Sequence, residues 1–241
     1  MTIGAEKTIT AKEKIEEYRN IWERRTHAPE LKTSHSAEIW DERSVEWAAK
    51  LAIDTEQTGG VYTRARCSAE ILRERHILTP ETVVADIGCG PGISTLEFAK
   101  TAKSATGFDF SAKFVEYARQ TAASSFQTNA SFEVCDFIAL EVAKAEFTGK
   151  FDLVYASITP AASGDGCIDK IMRMSRRYCA VLSFAYTDKD TYDMRFNGEG
   201  LNALWNFLWY SGYYPETRFF ADNRNTRYGL TMWDVTDREE R

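Results

Sequence analysis

The sequence predicts an α/β protein organised around a largely parallel sheet, and two observations carry that expectation. From residue 82 to about 187, short apolar runs alternate with helix-periodic segments, the pattern of βαβ units. The first run, Val83-Val84-Ala85-Asp86-Ile87, ends in the glycine-dense turn Gly88-Cys89-Gly90-Pro91-Gly92, and a helix-periodic stretch, Ile93 to Ala99, follows at once. Glycines there permit positive φ and let a ligand approach bare backbone. The helix behind them directs its free N–H groups and positive dipole end at the same point.

The elements follow in chain order. Thr10-Ala-Lys-Glu13 reads as a capping box, and Ile15, Tyr18, Ile21 and Trp22 continue at helical spacing, so a helix is expected over 11–25. A polar connector, 26–36, leads to a second helix over 37–52 that Thr58-Gly59-Gly60 interrupts, and a third spans 61–76. Strands are expected at 82–87, 104–109, 131–135, 151–157 and 178–185, with helices at 92–102, 112–124, 138–146 and 165–176 between them. Ser111 suits the N-cap of the second of these helices. Beyond Thr187 a polar stretch precedes a helix, Leu201 to Trp209, ending at Gly212. Runs at 213–221 and 227–235, joined by Asp222-Asn-Arg-Asn225, read as a hairpin on the sheet's edge.

The glycine turn fits neither of the two common nucleotide motifs. Counted from Gly88, the dinucleotide pattern G-x-G-x-x-G requires glycine where Ile93 stands, and a P-loop requires Lys and Ser/Thr after the last glycine, where Ile93 and Ser94 stand. The run Asp86-Ile-Gly-Cys-Gly-Pro-Gly92 instead resembles motif I of the class I S-adenosylmethionine (SAM)-dependent methyltransferases, an acidic residue, an apolar residue and G-x-G-x-G. The resemblance implies a Rossmann-like, doubly wound sheet of seven strands, mostly parallel with one antiparallel strand, to which the five strands and the hairpin correspond. It extends over 82–187, and in outline over 37–235. A division follows: an N-terminal helical cap, 1–81, on a SAM-binding domain, 82–241, the two forming one globular unit.

Further residues fall where such a site needs them. Asp109 ends the second strand nineteen residues beyond Gly90, where a carboxylate can accept hydrogen bonds from both ribose hydroxyls; it is similar to the family's motif II. Phe110 beside it can pack on the adenine. The resemblance assigns Asp136 to the adenine amine, with Phe137 adjacent, and Asp86 to orienting the turn or the methionine amino group. Cys89 lies within the turn itself, between Gly88 and Gly90. Ser157 and Thr159, at the end of the fourth strand, face the transferred methyl and can position an acceptor, or Thr159-Pro160 shapes the turn. In relatives an N-terminal aromatic or basic residue closes over SAM; here Trp40 with Arg43, or Tyr62 or Arg64, fill that part. All six tryptophans lie outside 82–187, in the flanks that build acceptor pockets in this family, although most serve equally to dock helices on the sheet.

No catalytic base is assigned. The sulfonium already activates the methyl, so alignment supplies much of the help. The histidines His27, His35 and His76 all precede the sheet. Net charge is −6 with no long basic run, which argues against nucleic acid and anionic membranes as partners. No apolar stretch is long enough to span a bilayer, and Met1 to Lys7 lacks the apolar core of a secretory signal. Five scattered cysteines without a C-x-x-C give neither a disulfide framework nor a metal site. A cytoplasmic enzyme, monomeric or homodimeric, methylating a small molecule and releasing S-adenosylhomocysteine (SAH), is the expectation. Two alternatives stay open: a SAM-binding regulatory protein without transferase activity, and another transferase on this scaffold, such as an aminopropyl transferase. The latter would want a further acidic cluster near Ser157.

Overall fold

The computed structural model describes residues 9–24, 36–53, 60–186 and 199–239. Most of the polar connector, with His27 and His35, the Thr58-Gly59 break and the polar stretch after Thr187 lie outside these residues. The helices are α1 (Ala11–Arg24), α2 (Ala37–Ile53), α3 (Gly60–Glu74), α4 (Ile93–Ala99), α5 (Ala112–Ser124), α6 (Cys167–Met174) and α7 (Glu199–Tyr210). The strands are β1 (Val83–Ile87), β2 (Ser104–Asp109), β3 (Ala130–Val134), β4 (Phe151–Ser157), β5 (Ser175–Tyr186), β6 (Glu216–Ala221) and β7 (Arg227–Asp234). The expected hydrogen bonds fix the helix starts. Thr10 N–H donates to Glu13 at 2.8 Å and Glu13 N–H to Thr10 Oγ1 at 3.2 Å, closing the capping box. Ser111 Oγ accepts from Phe114 N–H at 3.2 Å.

The sheet has seven strands in the order β3-β2-β1-β4-β5-β7-β6. β1 to β5 pair in parallel, and β7 runs antiparallel to both β5 and β6, so six strands point one way and one the other. The terminal hairpin therefore lies on the β5 side with its second strand innermost. Alternation along the strands loads both faces. Ala85, Ile87, Val154, Ala156, Cys179 and Val181 pack on one side with Trp22 of α1, Ile168 and Ile171 of α6, and Leu204 and Leu208 of α7. Val84, Leu153, Tyr155, Ala180 and Leu182 pack on the other with Ala69 and Leu72 of α3 and Phe98 of α4. The helices before the sheet are thus divided: α1 lies on one face and α3 on the other.

One expected helix does not form. Residues 137–139 and 142–146 make separate turns in place of a helix over 138–146. Phe137, Val142 and Phe147 are all buried in the same core cluster. Their spacing of five residues would spread them around a helix, so turns bring the three together where a helix would expose one. Asp136 also captures Ile138 N–H and Ala139 N–H at 3.0 and 3.2 Å, an Asx-type competition with helical bonding.

Candidate functional site

The strand order reverses between β1 and β4, and ligands of such sheets bind beyond the strands' carboxyl ends at that switch point. A cavity of about 520 Å³ lies there. Its floor comes from the ends of five strands: Gly88 after β1, Asp109 of β2, Asp136 after β3, Ser157 of β4 and Phe184 of β5. Trp40, Arg43 and Trp47 of α2 and Val61 and Arg64 of α3 close it from the helical side.

The glycine turn is shaped as its sequence requires. Gly88, Gly90 and Gly92 have φ of 65°, 51° and 80°, which L side chains other than Asn and Asp seldom adopt. A Cβ on Gly88 would stand 2.1 Å from Thr159 Oγ1, so the turn and the segment after β4 touch. A Cβ on Gly90 would meet nothing within 4 Å, leaving that backbone open to the cavity. Gly92 does not line the cavity; its Cα faces Phe132 and Ala118, beneath the turn.

Three carboxylates border the cavity, and each is already held. Asp109 accepts from Gly90 N–H at 2.8 Å and Ser111 N–H at 2.9 Å, so it fastens the glycine turn to the end of β2. Asp86, 1% exposed, accepts from Thr95 Oγ1–H at 2.6 Å. Asp136 holds the turn that follows it. Burial pushes the Asp86 carboxyl up to about 7, against the opposing pull of the Thr95 hydroxyl, and raises that of Asp109 against its two backbone amides. The Cys89 thiol is driven well above its usual range by burial and by the nearby carboxylates. Buried acids beside an open glycine backbone suit a ligand with positive charge and nucleoside hydroxyls, and a cavity of this size is typical of small-molecule sites. The residues therefore fit SAM.

Asp86 gives a pH dependence. Its native value, about 7, exceeds the ordinary 3.8. Between those values the native state holds a proton that the unfolded state has released, so this group's contribution to stability is lost as pH rises through the window. The melting temperature of cofactor-free wild-type protein is expected to fall from pH 5 to 7.5 more steeply than that of Asp86→Asn. Parallel melting curves for the two would refute it.

Of the residues singled out from sequence, Asp86, Gly88, Cys89, Gly90, Asp109, Phe110, Asp136, Phe137, Ser157, Trp40, Arg43 and Thr159 all border the cavity, as does Arg64. Gly92 and Tyr62 do not; Tyr62 faces a smaller hollow of about 250 Å³ between α3, α4 and α5. Thr159 also N-caps the short turn Pro160–Ala162 through Ala161 N–H at 3.3 Å. Ile158 beside it has φ 49°, a strained conformation for a β-branched residue, yet it keeps a bond to Leu182 at 3.0 Å. Among the tryptophans, Trp22 docks α1 through Ala162 O at 2.9 Å, and Trp205 stacks on Trp209 at 5.4 Å. Trp47, one of the six tryptophans in the flanks, and Phe184, not singled out from sequence, also border the cavity. Trp47 lies seven residues from Trp40 and four from Arg43, the spacing of one helix face, whereas Phe184 becomes visible only once β5 is placed beside β4.

Residues 78–191 match the family described as a methyltransferase domain. In fold the chain is similar to the magnesium protoporphyrin IX methyltransferase of Synechocystis PCC 6803, solved with bound SAM, at TM-score 0.54 and 20% identity over 71% of this chain and 78% of that one. It is also similar to an rRNA methylase from Streptococcus thermophilus, at TM-score 0.51 and 15% identity over 70% and 93% of the two chains. The cyclase SpnF aligns at TM-score 0.54 and 14% identity over 75% and 84%. Likenesses this remote establish a shared fold, and the named reactions of the three proteins differ.

Proposed function

We propose that the chain is a class I SAM-dependent methyltransferase, a reading supported by the methyltransferase-domain match over residues 78–191 and by the shared fold, and that it methylates a small molecule, with release of SAH. The observation that carries the acceptor class is the roof. Trp40, Arg43 and Trp47 of α2 line the same cavity as the glycine turn, and such an aromatic, partly cationic wall suits a compact organic acceptor.

SAM, when bound, supplies a methyl already activated by its sulfonium. In this reading Asp109 accepts from the ribose hydroxyls with the lone pairs that Gly90 and Ser111 leave free, and Asp136 accepts from the adenine amine. Phe110 and Phe137 flank the base. Asp86 steadies the turn and the methionine amino group. Gly88, Cys89 and Gly90 let the cofactor lie against backbone, with Gly92 supporting the turn from below. Ser157 and Thr159 border the side from which the acceptor attacks. SAM held there would supply the methyl for in-line displacement, its sulfur leaving as SAH. The chain's task is to hold that line and exclude competing water, an effect of proximity and orientation. The setting that suits its free thiols is the cytoplasm.

The experiment is calorimetric titration with SAM, SAH and NAD, followed by transfer of labelled methyl to a panel of small molecules and, separately, to total RNA. Micromolar SAM and SAH binding with label appearing in a small molecule is expected. NAD binding without SAM binding would sink the cofactor assignment. Labelled RNA with no labelled small molecule would sink the acceptor class.

A further inference from the structure

Asp41 stands on α2 beside Trp40, yet it does not border the cavity. Its Oδ1 accepts from the Ser111 hydroxyl and, at 3.3 Å, from Lys113 N–H. Both donors belong to the first turn of α5, where backbone N–H groups lack helical partners and the dipole favours negative charge. Ser111 is bonded on three sides. Its Oγ accepts from Phe114 N–H, its hydroxyl donates to Asp41, and its own N–H donates to Asp109 at 2.9 Å. Asp109 in turn holds Gly90 N–H at 2.8 Å. An unbroken series of hydrogen bonds therefore runs from the roof helix, through the N-cap of α5, to the carboxylate and the glycine turn on the cavity floor.

The roof has a second attachment at its far end. Leu51 is buried with Ala65 of α3 and Ile93 of α4. Between Asp41 and Leu51 lie Arg43 and Trp47, which border the cavity, and Val45, which is exposed on the outer side. Trp40 lies 6.3 Å from Phe114, centroid to centroid, so the ring contact and the Asp41 bonds reach the same turn of α5.

We infer that Asp41 is a positioning residue: it holds α2 closed over the cofactor and, through Ser111, fixes the orientation of Asp109. The inference rests on the reading that this cavity holds SAM and SAH. Removing the Asp41 acceptor loosens the roof while every side chain that borders the cavity stays in place. The expected consequence is faster cofactor escape, because a roof that opens more often changes dissociation more than encounter.

The test is stopped-flow measurement of SAH association and dissociation for wild type, Asp41→Ala and Asp41→Asn, with thermal melting of each cofactor-free protein. Asp41→Ala is expected to dissociate SAH at least tenfold faster with association changed less than threefold. Asp41→Asn keeps an acceptor oxygen for both donors and is expected to remain within threefold of wild type. A role confined to stability would lower melting and leave dissociation unchanged at a temperature where the protein is folded; that result overturns the inference, as does an Asn variant as fast as the Ala one. If Asp41→Ala does not fold, Asp41→Glu, which moves the acceptor by one methylene, is held to a threefold criterion in the same assay. Failure of wild-type protein to bind SAH would overturn the cofactor reading itself, whereas wild-type binding with unchanged variants overturns only the role of Asp41.

Discussion

Asp109→Ala is expected to weaken SAM and SAH binding on the order of 100-fold. The proposed bonds from two ribose hydroxyls to one carboxylate are each worth roughly 1.5–3 kcal/mol, and tenfold in affinity corresponds to about 1.4 kcal/mol. The same substitution strips the acceptor from Gly90 N–H and Ser111 N–H, so a fall in stability of about 1–3 kcal/mol is expected beside it. Asp109→Asn separates the two effects. It retains one acceptor oxygen for the backbone, so its melting temperature should lie nearer wild type than that of the Ala variant, while its affinity stays well below wild type. Calorimetry and melting on the three proteins read both quantities. An Ala variant that binds SAH within threefold of wild type would remove Asp109 from the cofactor site.

Two glycines of the turn are expected to fail in different ways. Gly92→Ala places a methyl 2.6 Å from Phe132 Cε1 and 2.8 Å from Ala118 Cβ at φ 80°. Left-handed backbone costs an L residue about 1–2 kcal/mol, and overpacking adds about 1–3, so a loss of about 3 kcal/mol of stability is expected. Gly90→Ala meets nothing within 4 Å and has φ 51°. It should lose only about 1 kcal/mol of stability, but its methyl enters the face open to the cavity, and SAH affinity should drop at least tenfold. Denaturant melting and SAH titration of both variants check this. A Gly90→Ala protein with wild-type affinity, or a Gly92→Ala protein with wild-type stability, would contradict the division between a glycine that serves the ligand and one that serves the core.

That division marks what the sequence makes legible. Asp86, Gly88, Gly90 and Asp109, singled out by their resemblance to motifs I and II, border one cavity or its turn because the end of a strand and the turn after it are local events. Gly92 belongs to the same motif, yet its spacing is explained by packing on Phe132, a residue of β3 that no local reading brings beneath the turn. Tyr62 and Arg64 stand two residues apart on α3, and only the helix's rotation on the sheet decides that Arg64 borders the cavity and Tyr62 the neighbouring hollow. The missing helix after β3 has the same origin. Its composition favours a helix, but Phe137, Val142 and Phe147 are claimed by one core, and tertiary burial outweighs propensity. The antiparallel β7, by contrast, was readable as part of a hairpin, since Asp222 to Asn225 make a short polar turn between two β-rich runs.

The docking of α1 bears on the order in which this chain assembles. Trp22 reaches Ala162 across 140 residues and Arg19 forms a bidentate pair with Asp169 across 150. These bonds of α1 close loops of 140 and 150 residues, and closing so long a loop is slow relative to local structure. Ala162 ends the turn that follows β4, next to Pro160 and Ala161 on the cavity wall. The glycine turn can form from neighbours in sequence, whereas the turn after β4 gains its contact with Trp22 only when α1 docks. The local contacts of the glycine turn are therefore expected to form faster than the long-range docking of α1 on the segment after β4.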